Sequence, residues 1–195
     1  MSDLRPAVFL DRDGTINVDK GYLCRIEDFE YLQGAVEGLR HLKEWGYLLV
    51  VITNQSGIAR GYYRKEDFCK LTEWMLTDLR AKGVSVDRVY YCPHHPEGIV
   101  KEYAVACDCR KPGTGLFYRA AKELGIDFDR SIAIGDKERD LAICNETGVT
   151  GILLSSRNTG EEKYLICRNW DEVIGSIRRV CIRYDAVSGD KRMRS

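Results

Sequence analysis

Three apolar runs in this 195-residue chain each end abruptly in residues that can do chemistry. Ala7-Val8-Phe9-Leu10 runs into Asp11-Arg12-Asp13-Gly14-Thr15, and Tyr47 to Ile52 runs into Thr53-Asn54-Gln55-Ser56-Gly57. Ser131 to Ile134 runs into Gly135-Asp136-Lys137, and Arg110-Lys111 stand just ahead of the preceding helical segment. Short apolar runs bounded by polar residues and Gly read as buried parallel strands, and ligands bind at the carboxyl ends of such strands. Carboxylates there can hold a hard divalent cation, while a Lys and a hydroxyl steady phosphate oxygens; together they are what phosphoryl transfer needs. Taken alone, Asp11-Arg12-Asp13 reads equally well as a solvated turn after a strand. The joint occurrence of these residues in chain order favours a site.

A second constellation is built from sulfur. Cys92-Pro93-His94 and Cys107-Asp108-Cys109 are two chelating pairs joined by a long loop without periodicity. A Cys₃His set suits tetrahedral zinc, and four protein ligands leave no open position for catalysis, so the metal would be structural. The spacing departs from the common two-residue gap, and free or buried thiols remain the alternative. That is the reading given to Cys24, Cys69, Cys144, Cys167 and Cys181. Eight cysteines with no secretory segment ahead of them point to metal or free thiols rather than disulfides.

The elements that must position these groups alternate strand and helix. Helical spacing is found over Ala35 to Trp45, over Lys65 to Lys82 with Phe68, Leu71, Met75 and Leu79 on one stripe, and over Leu116 to Leu124. Further helices are expected through Leu141 and Ile143 and over Asp171 to Val180, with strands at Val86 to Tyr91 and Thr150 to Leu154. The expected fold is α/β, a Rossmann-like parallel sheet with helices on both faces. Residues 1–182 would form one domain, with a zinc loop at 92–109 and a mobile tail at 183–195; residues 16–33 read as a loop or small flap over the first strand. Thirty basic residues balance thirty acidic ones, so charge points to no nucleic-acid partner, and no apolar run approaches bilayer length. The expected location is the cytoplasm.

Through Asp11-Arg12-Asp13-Gly14-Thr15, Thr53, Lys111 and Gly135-Asp136-Lys137-Glu138-Arg139-Asp140, the chain resembles the haloacid dehalogenase (HAD) superfamily of phosphohydrolases. Phe9 to Gly21, Ile52 to Gly61, Tyr90 to His95, Cys107 to Pro112 and Gly135 to Leu141 narrow the resemblance to the D-glycero-D-manno-heptose 1,7-bisphosphate phosphatases. This resemblance, spanning roughly residues 7 to 155, implies a magnesium-dependent enzyme removing the 7-phosphate through an aspartyl-phosphate. Such an enzyme serves ADP- or GDP-heptose biosynthesis for lipopolysaccharide core or surface glycans.

Asp11 would be the nucleophile and Asp13 the general acid and base, in a setting that favours its neutral form. Thr53 and Lys111 would stabilise the phosphoryl group. Magnesium would be held by Asp11, Asp136 and the main-chain carbonyl of Asp13, and zinc by Cys92, His94, Cys107 and Cys109. Asp140 is open between a carboxylate supporting the site and a plain helix-face acid.

The intervals between strands are too short for a large cap domain. Selectivity for a small phosphorylated sugar therefore falls to Asp19, Lys20, Gly21 and Tyr22, to Asn54, Gln55 and Ser56, and to Arg110 and Lys137. The run Pro112-Gly113-Thr114-Gly115 lacks a second Pro usual in such enzymes, which would loosen the turn beside Lys111. A monomer is expected. The competing readings are a histidinol-phosphate phosphatase, a non-catalytic zinc-stabilised binding module, and a phosphomutase.

Overall fold

A computed structural model describes residues 4–156 and 163–188, with side chains described up to Arg179. Six strands, β1 (Ala7–Leu10), β2 (Leu48–Asn54), β3 (Arg88–Cys92), β4 (Ile132–Gly135), β5 (Thr150–Leu154) and β6 (Leu165–Cys167), form one sheet in the order β3-β2-β1-β4-β5-β6. Every neighbouring pair is parallel. The chain runs outward from β1 through β2 to β3, then crosses back to place β4 on the other side of β1. That reversal opens a crevice at the carboxyl ends of β1 and β4, where the topology of such sheets places ligands.

Burial on both faces explains why the strands are nearly continuous apolar runs. Val8 and Leu10 of β1 and Leu49 and Val51 of β2 pack into one core with α1 (Ala35–Glu44), α2 (Lys65–Ala81) and α4 (Trp170–Ser188). Ala7, Phe9, Leu48, Val50 and Ile52, alternating with them, pack on the other face against α3 (Gly115–Leu124) and the 3₁₀ segment Glu138–Asn145. The stripe Phe68, Leu71, Met75 and Leu79 is the buried side of α2 as its spacing requires. Trp170 ties α4 to the site: its indole donates to Thr15 O at 2.9 Å, and a Cβ on Gly38 would stand 2.3 Å from its ring.

Some boundaries differ from the sequence reading. β2 extends through Thr53 and Asn54 because both pair with β3, so these residues leave the sheet on a rigid strand rather than a loop. The segment through Leu141 and Ile143 is a 3₁₀ helix, and β6 is a three-residue edge strand too short to show periodicity. Of the expected tail, residues 183–188 continue α4, and 189–195 lie outside the described residues, as does the stretch 157–162. Residues 16–33 carry only a 3₁₀ turn, Ile26–Asp28, and bridges Asp13 to Asn17 and Asn17 to Tyr31. Among the described residues no cap domain is inserted.

Candidate active site

The ends of β1, β2 and β4 converge on a cleft of about 460 Å³. Lys111 is the hub beneath it. The residue is 2 % exposed, and its ammonium donates to Asp11 Oδ1 at 2.8 Å and Ile52 O at 2.6 Å and lies 2.8 Å from Asp140 Oδ1. Burial alone would favour a neutral amine, but the charges of Asp11 and Asp140 outweigh it and raise its pKa. Asp140 is pushed up to about 6 by burial and by the charge of Asp11, against the pull of Lys111. Its other oxygen accepts from the Lys137 N–H at 3.1 Å. Asp140 is therefore a buried partner of Lys111, not a solvated helix-face acid.

The path of Lys111 is fixed from its main chain. Asn54 accepts from Lys111 N through Oδ1 and donates to Lys111 O through Nδ2, both at 3.0 Å. The expected loosening at Pro112-Gly113-Thr114-Gly115 does not occur. Gly113 N donates to Arg110 O at 2.6 Å and Gly115 N to Asp108 O at 3.1 Å. A Cβ on Gly113 would stand 2.3 Å from Asp108 O, so this close turn requires glycine.

Asp13 is not in an apolar setting. Its carboxylate accepts from the Arg12 guanidinium at 2.8–3.2 Å, from Asn17 Nδ2 at 3.0 Å and from Gln55 Nε2 at 3.1 Å. Arg12 itself is 1 % exposed, lies over the Phe68 ring, and donates to Leu23 O, anchoring the flap. Here the structure corrects the expectation: β1 hands Asp13 directly to a buried guanidinium.

Asp136, at the end of β4, has a buried Oδ1 without a partner, while Oδ2 lies 3.0 Å from Lys137 Nζ. Burial raises its pKa, Lys137 opposes this, and Asp11 adds to it. A Cβ on Gly14, whose φ is +84°, would fall 2.5 Å from Asp136 Oδ2. Ligand atoms of Asp11, Asp136 and Asp140 lie within 4.8 Å of one another. Since Asp140 is already bound to Lys111 and Lys137, a cation fits best at Asp11 and the orphaned oxygen of Asp136.

Of the other expected residues, Asp19, Gly21, Tyr22, Thr53, Asn54, Gln55, Ser56, Arg110 and Lys137 line the cleft with Asp11 and Asp13. Lys137 reaches Asp19 at 3.3 Å, and Asp19 is held below the ordinary carboxylate range despite burial by the Gly21 N–H and Lys137. Lys20 is turned aside, 3.0 Å from Glu30. Arg60, Tyr63, His95 and Arg139 also line the cleft, and none of them is among the residues expected there from the sequence. Arg139 lay inside the motif that begins at Gly135, and Arg60 and Tyr63 lay within ten residues of Thr53; nearness to motif residues was the available signal. Among the described residues, no ion pair engages Arg60, Arg110 or Arg139. Burial lowers the Arg110 pKa, and Arg139 and Arg60 depress it further, so the three guanidinium groups share one neighbourhood.

The sulfur constellation is also assembled. Cys109 Sγ lies 3.1 Å from Cys107 Sγ and 3.2 Å from Cys92 Sγ, and His94 Nδ1 lies 3.3 Å from Cys109 Sγ. Ligands on a tetrahedral zinc with bonds of about 2.3 Å stand about 3.8 Å apart, so a small outward shift would seat the ion. Arg110 donates to His94 O at 3.3 Å, joining this cluster to the cleft.

Comparison with known proteins agrees with this geometry. Residues 108–179 match the HAD-hydrolase-like family model. The D-glycero-beta-D-manno-heptose-1,7-bisphosphate 7-phosphatase of Photorhabdus laumondii is 53% identical over 136 residues, covering 70% of this chain and 72% of the relative. The enzyme of that name from Escherichia coli K12 is 52% identical over 136 residues, covering 70% and 71%. The D,D-heptose 1,7-bisphosphate phosphatase of B. bronchiseptica, solved with magnesium and phosphate, superposes with a TM-score of 0.77 at 26% identity, over 90% of this chain and 99% of that one. Sequence likeness across the motifs and a shared sheet lead to one assignment: the chain belongs to the HAD-type D-glycero-beta-D-manno-heptose-1,7-bisphosphate 7-phosphatase family.

Proposed function

We propose that this chain removes the 7-phosphate of D-glycero-D-manno-heptose 1,7-bisphosphate, as a cytoplasmic, monomeric enzyme supplying ADP- or GDP-heptose precursors of surface glycans. The observation that carries this reading is the composition of one cleft. It holds a carboxylate and lysine set suited to one phosphate, and three guanidinium groups without carboxylate partners suited to a second anion. Histidinol phosphate would bring a cation to those arginines instead.

Asp11, Asp136 and the carbonyl of Asp13 would hold magnesium, which when bound neutralises charge so that an anionic carboxylate can approach an anionic phosphate. Lys111 occupies Asp11 Oδ1, which leaves Oδ2 to attack phosphorus in line. The approaching anionic phosphate favours proton uptake by Asp13 against the Arg12, Asn17 and Gln55 donors. As the bond from phosphorus to the sugar oxygen breaks, Asp13 gives that oxygen this proton. Asp13 then takes a proton from water, whose oxygen attacks the aspartyl-phosphate; the bond to Asp11 breaks and phosphate leaves. Thr53 donates to a phosphoryl oxygen as charge shifts. Lys111, whose three protons face Asp11, Ile52 O and Asp140, acts from beneath through its charge and its hold on Asp11 rather than by the direct contact expected of it. Cys92, His94, Cys107 and Cys109 would hold a structural zinc that fixes the strand end and loop from which Arg110 and Lys111 extend.

Parallel assays with magnesium present test the substrate. A kcat/KM for the heptose bisphosphate at least about 100-fold above that for histidinol phosphate is expected from the charge mismatch. Equal or inverted values overturn the assignment. Asp11→Asn should lower turnover of any phosphomonoester by about 10⁴-fold or more, and normal turnover would rule out the covalent route.

A further inference from the structure

Gln55 stands between Thr53 and Asp13, 2 % exposed. Its Nε2 donates to Thr53 Oγ1 at 2.9 Å and to Asp13 Oδ2 at 3.1 Å, which uses both amide protons. Its Oε1 accepts from the Tyr63 hydroxyl at 2.6 Å. A primary amide has two orientations of nearly the same shape and opposite polarity, so a buried one needs a neighbour to choose between them. Turned over, Gln55 would aim Oε1 at the Asp13 carboxylate, and Thr53 would have to donate its own proton to Gln55. As placed, Thr53 accepts from Gln55 and its single O–H proton remains available to a phosphoryl oxygen.

The fold keeps Tyr63 in place for this contact. A Cβ on Gly57 would stand 2.2 Å from Tyr63 Cε1, so the loop after β2 leaves that space for the ring. Tyr63 packs with Ile58 and Phe68 in a small apolar cluster and is 7 % exposed. Among the described contacts Gln55 Oε1 is the acceptor of its hydroxyl proton, so a turned-over amide would leave that buried proton without one.

We infer that Tyr63 is a positioning residue: its hydrogen bond fixes the polarity of the Gln55 amide, and thereby leaves the Thr53 proton free for the transferring phosphoryl group. This rests on the phosphatase reading above. Tyr63→Phe keeps the ring and removes only the hydroxyl.

In protein with ¹⁵N-labelled glutamine, the Gln55 side-chain amide protons should exchange with solvent at least about tenfold faster in Tyr63→Phe than in the wild type. With an alkyl phosphomonoester and saturating magnesium, kcat should fall about tenfold with KM within about twofold, the pattern of an interaction made in the transition state. In a Gln55→Leu background, Tyr63→Phe should cost less than about twofold, because the effect runs through Gln55. Unchanged exchange, unchanged kcat, a loss confined to KM, or a full additional tenfold loss in the Gln55→Leu background would each overturn the inference. A wild type that hydrolyses no phosphomonoester would overturn the phosphatase reading instead, and the exchange measurement would still decide whether Tyr63 holds the amide.

Discussion

Lys111 concentrates the electrostatics of the site in one residue. It is fully enclosed and lies 2.8 Å from each of two carboxylates, so its ammonium is the only countercharge between Asp11 and Asp140 that the described contacts provide. Lys111→Met would leave the buried Asp140 facing Asp11 without a countercharge, and such unpaired buried charge costs about 3–5 kcal/mol. That cost should depend on pH with a definite sign. The pKa of Asp140 is already raised to about 6, above its ordinary 3.8, so its folded form holds a proton more tightly than its unfolded form. Lowering the pH through that range stabilises the fold at this position, and losing Lys111 enlarges the effect. Urea denaturation should therefore show a smaller gap between variant and wild type at pH 5 than at pH 7, together with loss of turnover at both. A gap that widens toward pH 5 would contradict this account of the pair.

At the scale of elements, the turn that follows β1 is where the site is most tightly specified. Gly14 takes a left-handed φ of +84° and leaves room for Asp136 from β4, so Gly14→Ala would strain the backbone and push a side chain 2.5 Å from the carboxylate. The magnesium concentration for half-maximal activity should rise about tenfold or more, with the KM for substrate within about threefold; an unchanged magnesium requirement would refute the placement of Asp136. Gly14 and Asp136 were both visible in the sequence because each follows a buried strand, and strand runs such as Ala7–Leu10 and the α2 stripe declare themselves by apolar pattern. What was not visible depends on which way side chains turn in the fold. The partners of Asp13 are an adjacent Arg that turns inward and a Gln held by Tyr63, and neither choice is marked by spacing. Arg60 and Arg139 join the expected Arg110 in one cleft from a loop and from the 3₁₀ segment Glu138–Asn145, and β6 is a three-residue edge strand with Leu165 exposed. The path of Pro112 to Gly115 was misjudged for a related reason: its rigidity comes from Asn54 and Asp108, not from its own composition.

Across the whole molecule, the sulfur cluster links the edge of the sheet to its centre. Cys92 ends the edge strand β3, while Cys107 and Cys109 precede Arg110 and Lys111, and Lys111 reaches through Asn54 and Ile52 into β2 and onward to Asp11. A metal clip at this point would close the loop 92–109 and fix the main chain of a residue that touches Asp11, the proposed nucleophile. Binding energy at such a clip is folding energy, so zinc removal should lower stability and turnover together. Each kcal/mol lost shifts Tm by about 2–4 °C in a domain of this size, and a fall of at least about 5 °C is expected after stripping with a strong chelator. Magnesium must be restored before the assay, because a chelator empties that site as well. Turnover should then remain depressed until stoichiometric zinc is added, and Cys109→Ser should reproduce the depressed state without rescue. If the metal-free chain keeps its Tm and its turnover once magnesium is returned, the cluster does not brace Lys111. The ordering of the catalytic loop would then rest on Asn54 and the close turn at Gly113 alone.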